Sequence, residues 1–326
     1  MSSTNTTAKE TTEPADTSEM IAYYALIVVV VGTPLNILTF IILCRSTFRN
    51  ANARPILHYM RAMAIFDILM LYGWNIDHYF SIMHGFQIQT SSMPVCRFFS
   101  FLNYFAPQSS AWLRVFVCWD RYLSLSRLHK TWFSHPKNVL TIIACIMIIL
   151  FLLNCQMFFL ACYYIAPGKI TVFSLAFEIY PVWDYVNLGV YNCAPFILMV
   201  TFNSGVIYHL IQLRCTSTIR NSRIQHRSIS IALVITTFMF LMMTIPATVG
   251  FAFFSTSYRP VLQFLDGLLY SYHILSFPLY IITFDEFRHN FINMIKCDKN
   301  NRRVGQEGIT LAAPQQWNAA RMNITT

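Results

Sequence analysis

What this chain has least of is charge. Only 11% of its 326 residues are Asp, Glu, Lys or Arg, against 56% hydrophobic, whereas an ordinary soluble domain is about 25% charged. So little polar surface does not cover a chain of this length in water, which excludes a soluble enzyme or binding domain. Metal-ligand spacing is missing too: several of the nine cysteines (Cys44, Cys118, Cys145, Cys155) lie inside apolar runs, where cysteine acts as a small hydrophobe. The nine histidines are scattered and form no His-Glu-x-x-His, so the paired groups that a membrane-embedded enzyme needs are absent. No internal repeat marks a transporter. These absences leave an integral membrane protein in contact with the lipid bilayer, with no enzymatic activity and no cofactor expected.

The apolar residues fall into seven long runs: Met20–Cys44, Ile56–Met83, Pro94–Leu125, Asn138–Tyr163, Tyr185–Leu213, Ser228–Phe254 and Pro260–Phe284. Each exceeds the roughly 20 residues that a spanning helix needs. Pro195 and Pro246 interrupt two of them, which membrane helices tolerate. The net charge of +9 is no nucleic-acid signal, because the basic residues gather in short loops. Arg45, Arg49 and Arg54 follow the first run, Arg127, Lys130 and Lys137 the third, and Arg214, Arg220, Arg223 and Arg227 the fifth. The alternate loops lack this excess, so the positive-inside rule puts the N-terminus outside. The expected fold is all-α: a bundle of seven transmembrane helices over 21–284.

The flanks are polar. Residues 1–20 are Ser/Thr-rich and read as a disordered extracellular tail, with Asn5-Thr6-Thr7 as a glycosylation acceptor. Over 285–297, Phe287, Phe291 and Ile295 recur at helical spacing among polar residues, which predicts a short amphipathic helix in the membrane interface. Cys297 at its end is either palmitoylated or a free thiol. Residues 298–326 read as a disordered cytoplasmic tail.

The third run is the most informative. As a helix, the 25 steps from Cys96 to Arg121 rise about 37 Å at ~1.5 Å each, which places Cys96 at one water interface and Asp120-Arg121-Tyr122 at the other. Between them lies Arg114, seven residues before Arg121 and two turns deeper. A buried arginine costs at least ~2.5–3.5 kcal/mol at mid-helix. It either pairs with Asp67, the one inner-bundle carboxylate on a neighbouring run, or snorkels to the interface.

Taken in order, these residues resemble the rhodopsin-like (class A) G-protein-coupled receptors along nearly the whole chain. Gly32-Thr33-Pro34-Leu35-Asn36 is similar to the first-helix signature, Asp67 to the second-helix aspartate, and Cys96 with Asp120-Arg121-Tyr122 to the third-helix pair. Pro195 and Pro246 resemble the fifth- and sixth-helix prolines, and Ser276-Phe277-Pro278-Leu279-Tyr280 the seventh-helix Asn-Pro-x-x-Tyr. The chain departs from the family at Ser276, Phe277, Thr244, Asn203 and His226, where the family has Asn, Pro, Trp, Tyr and Glu. Its overall texture is also similar to invertebrate neuropeptide receptors of the FMRFamide-like kind.

The resemblance implies a plasma-membrane receptor that binds an extracellular ligand and activates a heterotrimeric G protein; a seven-helix transporter or channel is the alternative. It implies coupling through Asp120, Arg121, Tyr122 and Tyr280, and an inner polar network of Asn36, Asp67, Ser110, Arg114 and Ser276. In the family that aspartate helps to bind sodium, a place that a paired Arg114 would take. Cys96 is expected to form a disulfide with Cys162 or Cys193; Cys162, at the top of the fourth run, is favoured. The ligand residues implied are Asp77, Asn103, Tyr104, Gln108, Glu178, Trp183, Asp184, Asp266 and Tyr270. With asparagine at Asn103, where amine receptors carry aspartate, a small biogenic amine is disfavoured. The acidic, aromatic mouth suits a cationic peptide such as one ending in an arginine-aromatic amide. Alternatively, Asp77 and His78 satisfy one another.

Overall fold

The computed structural model describes residues 15–45, 56–126, 135–172, 179–216, 223–254 and 259–295. It is helical almost throughout: α1 (Ala15–Cys44), α2 (Ile56–Gly73), α3 (Asn75–His84), α4 (Met93–Leu125), α5 (Pro136–Asn154), α6 (Met157–Leu160), α7 (Ile179–Asn187), a π-helical turn (Leu188–Cys193), α8 (Ala194–Thr216), α9 (Arg223–Phe254), α10 (Arg259–Thr283) and α11 (Asp285–Ile295). Strands β1 (Tyr163–Ala166) and β2 (Lys169–Thr171) form an antiparallel hairpin. Gly168 makes the turn with φ of 79°, a conformation that favours glycine.

Five stretches are long and apolar enough to cross a membrane: Ser18–Cys44, Ile56–His84, Pro136–Leu160, Tyr185–Gln212 and Val234–Phe254. Val261–Thr283 and Asp285–Ile295, bent by 96° at their junction, make a sixth when the pair is taken as one span. Their outward faces are apolar; Ile149 on α5 is 63% exposed, and Ile148, Leu152, Ile197 and Phe238 are exposed with it. Such a belt suits lipid and is far larger than a soluble surface carries. The chain is therefore an all-α bundle of multi-pass membrane character. The 33-residue α4 falls short on hydropathy because Gln108, Ser109, Ser110 and Arg114 run through its middle. Those four are buried, so the polar residues of α4 face neighbouring helices rather than lipid.

Several boundaries differ from the sequence expectation. Helix α1 starts at Ala15, so the end of the supposed 1–20 tail is helical; Glu19 lies near its positive N-terminal end, where a carboxylate favours helix. The second run is broken at Trp74, and Asn75 Nδ2 takes up the Leu71 carbonyl at 2.9 Å beside the break. The fifth run begins earlier, at Ile179, and contains the π turn. Asn5, Glu178 and Cys297 lie outside the described residues, as does the side chain of Asp184.

Packing at the membrane core depends on close approach. A Cβ on Gly32 of α1 would stand 2.6 Å from Leu71 Cδ1 on α2 and 2.8 Å from Ile274 Cγ1 on α10. Leu71 is fully buried and cannot swing clear. Near the other end of α1, Arg61 of α2 donates from Nε (3.0 Å) and Nη2 (2.7 Å) to the Leu43 carbonyl, and Arg45 Nη1 donates to Asn290 O of α11 at 3.2 Å. Cations there also suit the negative C-terminal end of α1. Gly32→Ala is expected to destabilise the bundle by about 1–3 kcal/mol, the usual range for overpacking. Thermal unfolding of the detergent-solubilised protein checks this; an unchanged midpoint would show that α1 has room to move.

Candidate functional site

At mid-bundle, Asp67 on α2 is 1% exposed and gathers donors from two other helices. Ser110 Oγ on α4 donates to its Oδ1 at 2.6 Å. Arg114 Nη2 lies 3.1 Å from both Asp67 oxygens, while Arg114 Nη1 donates to Ser110 Oγ. From α10, His273 Nδ1 stands 2.7 Å from Oδ1 and Ser276 Oγ donates to Oδ2 at 3.4 Å. Of the two fates open to Arg114, the structure therefore has the pair: the guanidinium crosses to α2 instead of following α4 to the interface. Asn36 on α1 closes the group by donating to the His273 carbonyl at 3.0 Å.

Arg114 also faces two rings. Its guanidinium carbon is 4.9 Å from the Tyr272 centroid and 5.7 Å from that of Phe240. Tyr272 Oη donates to Thr236 O of α9 at 3.3 Å. One buried cation thus binds α4 to α2 by charge and to α9 and α10 through π faces. A small cavity opens beside it, lined by Met63, Thr236, Thr237, Tyr272, Ser276 and Tyr280 among others. His273 was passed over in the sequence as one scattered histidine. Its spacing, three before Ser276 and seven before Tyr280 on one helical face, was the available signal.

Towards one end of α4, Arg121 is buried with Asp120 Oδ2 at 3.9 Å. Tyr122 packs on Phe202 (6.1 Å between centroids) and His209 (5.8 Å) of α8. A Cβ on Gly205 would meet its ring at 2.6 Å, so α8 needs glycine here. Tyr280 is buried edge-on to Phe287 of α11.

At the other end, Cys96 is bonded to Cys162, joining α4 to the start of the β hairpin. Of the nine proposed ligand residues, the side chains of seven are described; Glu178 and the Asp184 side chain lie outside the described residues. Asp77 is half-buried, and its Oδ1 accepts the Gln89 backbone N–H at 2.7 Å and so holds the turn between α3 and α4. It does not satisfy His78, which stacks on Trp74 at 4.2 Å. Gln108 is fully engaged in the core, donating to Asn187 Oδ1 at 3.0 Å and accepting from Asn154 Nδ2 at 2.7 Å. Both side chains make structural ties, as a buried or loop-capping polar group is taken by the nearest backbone or amide. Tyr104 meets Trp183 edge-on at 6.3 Å. Asn103 Oδ1 and Trp183 Nε1 are buried with no hydrogen-bond partner among the described residues. Tyr270 is stacked on Trp74, 5.7 Å between centroids and 2° between planes. One turn before it on α10, Asp266 is 9% exposed.

A second polar tie was missed altogether. Asn192, in the π turn, accepts from Thr244 Oγ1 at 3.1 Å and donates to Thr248 Oγ1. These threonines bracket Pro246, whose missing N–H weakens α9 at that point. Trp112 Nε1 donates to Val190 O at 3.1 Å, so the same turn is tied to α4. An asparagine inside an apolar run was the only sequence signal.

No model of a known family matches this chain, and no curated protein matches it.

The inner pair makes a double-mutant prediction. Asp67→Asn leaves Arg114 buried without a counter-charge and should cost about 3–5 kcal/mol. Asp67→Asn with Arg114→Leu should recover most of that loss in thermal unfolding. Strictly additive effects would reject a direct interaction.

Proposed function

We propose that the protein is a G-protein-coupled receptor of the rhodopsin-like class. In this reading α4 is the seventh span beside the six apolar ones, the N-terminus is extracellular, and the chain resides in the plasma membrane. The observation that carries the reading is α4 itself. It has a disulfide at one end, an Asp120–Arg121 pair with Arg121 buried at the other, and between them a polar centre that touches three other helices. Such a helix links two water-facing ends through the membrane, which is what a signalling receptor requires.

The ligand, an extracellular peptide with cationic character, enters at the disulfide end. The signal passes to α9, which is held by two sets of contacts: Asn192 with Thr244 and Thr248, and Tyr272 with Thr236 beside Arg114. Both sets lie on the inner face of a helix weakened by Pro246, so α9 has two arrangements that a ligand can bias. When α9 moves out, Arg121 leaves Asp120 and meets the G protein. Tyr122 and Tyr280 flank that surface. No cofactor takes part, and the receptor is not an enzyme.

The test is Arg121→Ala in transfected cells challenged with a peptide library, with calcium and cAMP as readouts. Response is expected to fall to background while surface expression and ligand binding persist. Binding and signalling lost together, at normal surface level, would remove Arg121 from the coupling step. A chain that answers no peptide through any G protein would overturn the receptor reading.

A further inference from the structure

The Asp67 carboxylate is saturated. Ionised, it offers about four acceptor sites on its two oxygens. Ser110 Oγ at 2.6 Å, His273 Nδ1 at 2.7 Å and Arg114 Nη2 at 3.1 Å meet Oδ1; Arg114 Nη2 at 3.1 Å and Ser276 Oγ at 3.4 Å meet Oδ2. Ser110 is engaged twice, giving its proton to Asp67 and a lone pair to Arg114 Nη1. The side chains around Asp67 therefore turn N–H and O–H groups towards it. A hard metal ion collects oxygen lone pairs instead, and it is repelled by a guanidinium already in contact with the carboxylate. In the family that the sequence resembles, an aspartate at this place helps to bind sodium. The residues as they are arranged here do not fit that ion.

We propose that Arg114 is a tethered counter-ion that closes the Asp67 centre to the exchangeable cations of the solution, so that the protein is indifferent to sodium. A guanidinium stays charged at any physiological pH, and this one is 7% exposed and fixed to α4. The carboxylate is thus neutralised from within the chain. Truncating Arg114 removes the charge and frees both the Asp67 oxygens that it covers and the Ser110 lone pair. Asp67 on α2, Ser110 on α4 and Ser276 on α10 then offer oxygen ligands from three helices. The volume of the lost side chain joins the cavity lined by Thr236, Tyr272, Ser276 and Tyr280, which leaves space for the water that completes an ion's shell. Vacating Arg114 is therefore expected to open a sodium site that the parent lacks. The inference rests on the Asp67 centre and not on the receptor reading; to that reading it adds that sodium leaves ligand affinity unchanged.

The test is thermal unfolding of the purified, detergent-solubilised full chain in sodium chloride or choline chloride, at equal ionic strength and at a mildly alkaline pH where protons compete least. The parent is expected to unfold at the same temperature in both salts. Arg114→Leu is expected to unfold below the parent in choline and to rise saturably with sodium, by about 2 °C or more. Asp67→Asn with Arg114→Leu is expected to lose that rise. Arg114→Lys, still a tethered cation, is expected to stay indifferent. A sodium-specific shift in the parent that Asp67→Asn removes would overturn the proposal, because the centre would then be open with Arg114 in place. A response in Arg114→Lys as large as in Arg114→Leu would also overturn it. So would a folded Arg114→Leu that ignores sodium and gains stability only as the pH falls, since a proton and not a metal ion would then replace the guanidinium. Where Arg114→Leu does not fold in either salt, Arg114→Gln, which keeps an N–H for Asp67 without the charge, is read by the same two outcomes. No ligand or G protein enters the measurement. A chain that answers no peptide loses the receptor reading and keeps the closed centre, and a receptor with an Asp67-dependent sodium shift loses the closed centre alone.

Discussion

A guanidinium placed inside an apolar bundle has to be neutralised where it lies, and the middle of this structure follows from that requirement. Arg114 lies two turns in from the Asp-Arg-Tyr end of α4 and reaches across to Asp67 at 3.1 Å. Ser110, His273 and Ser276 saturate the carboxylate, and Tyr272 and Phe240 face the cation. Each contact comes from a different position on α2, α4, α9 or α10. The charge pair therefore specifies how four helices are rotated relative to one another, which apolar packing alone does weakly when lipid is as apolar as the core.

The polar groups fall into three levels along α4. The disulfide and the loop held by Asp77 form one end; the Asp67 centre and the Gln108–Asn154–Asn187 tie occupy the interior; Asp120, Arg121 and Tyr122 form the other end. Among the described residues helix α9 touches the interior level through threonines and through a ring that faces the Arg114 cation, with no ion pair of its own. It is thus held by neutral hydrogen bonds, each worth about 0.5–1.5 kcal/mol, while α2 and α4 are held by ions. The helix with the weaker attachments and the internal proline is the one suited to move.

Much of this was legible in the sequence because it follows from scarcity. A lone arginine in an apolar run either pairs with a carboxylate or snorkels to the interface, and Asp67 was the only carboxylate at that depth, so the sequence narrowed the choice to two. Cys162 was favoured as the partner of Cys96 because it sits at the top of its run. What was not legible depends on backbone detail. Asp77 looked like a pocket carboxylate until the turn after Gly85 brought the Gln89 N–H to it. Gln108 looked like ligand-facing surface because nothing local announces Asn154, 46 residues away. His273 was invisible without its carboxylate partner, and no residue pattern signals a π turn.

That π turn has a consequence for helical phase. In an α-helix, residues five apart point about 140° away from each other at 3.6 residues per turn. In an i→i+5 turn they come back into register. Asn187 at the start of Leu188–Cys193 and Asn192 near its end are five apart, and both face inward, one to Gln108 on α4 and the other to Thr244 and Thr248 on α9. The single extra residue is what lets one helix address two neighbours at once. Deleting one residue from this turn would leave a continuous helix of nearly the same composition, yet it would rotate one asparagine out of the bundle and break the tie that this turn makes between α4 and α9.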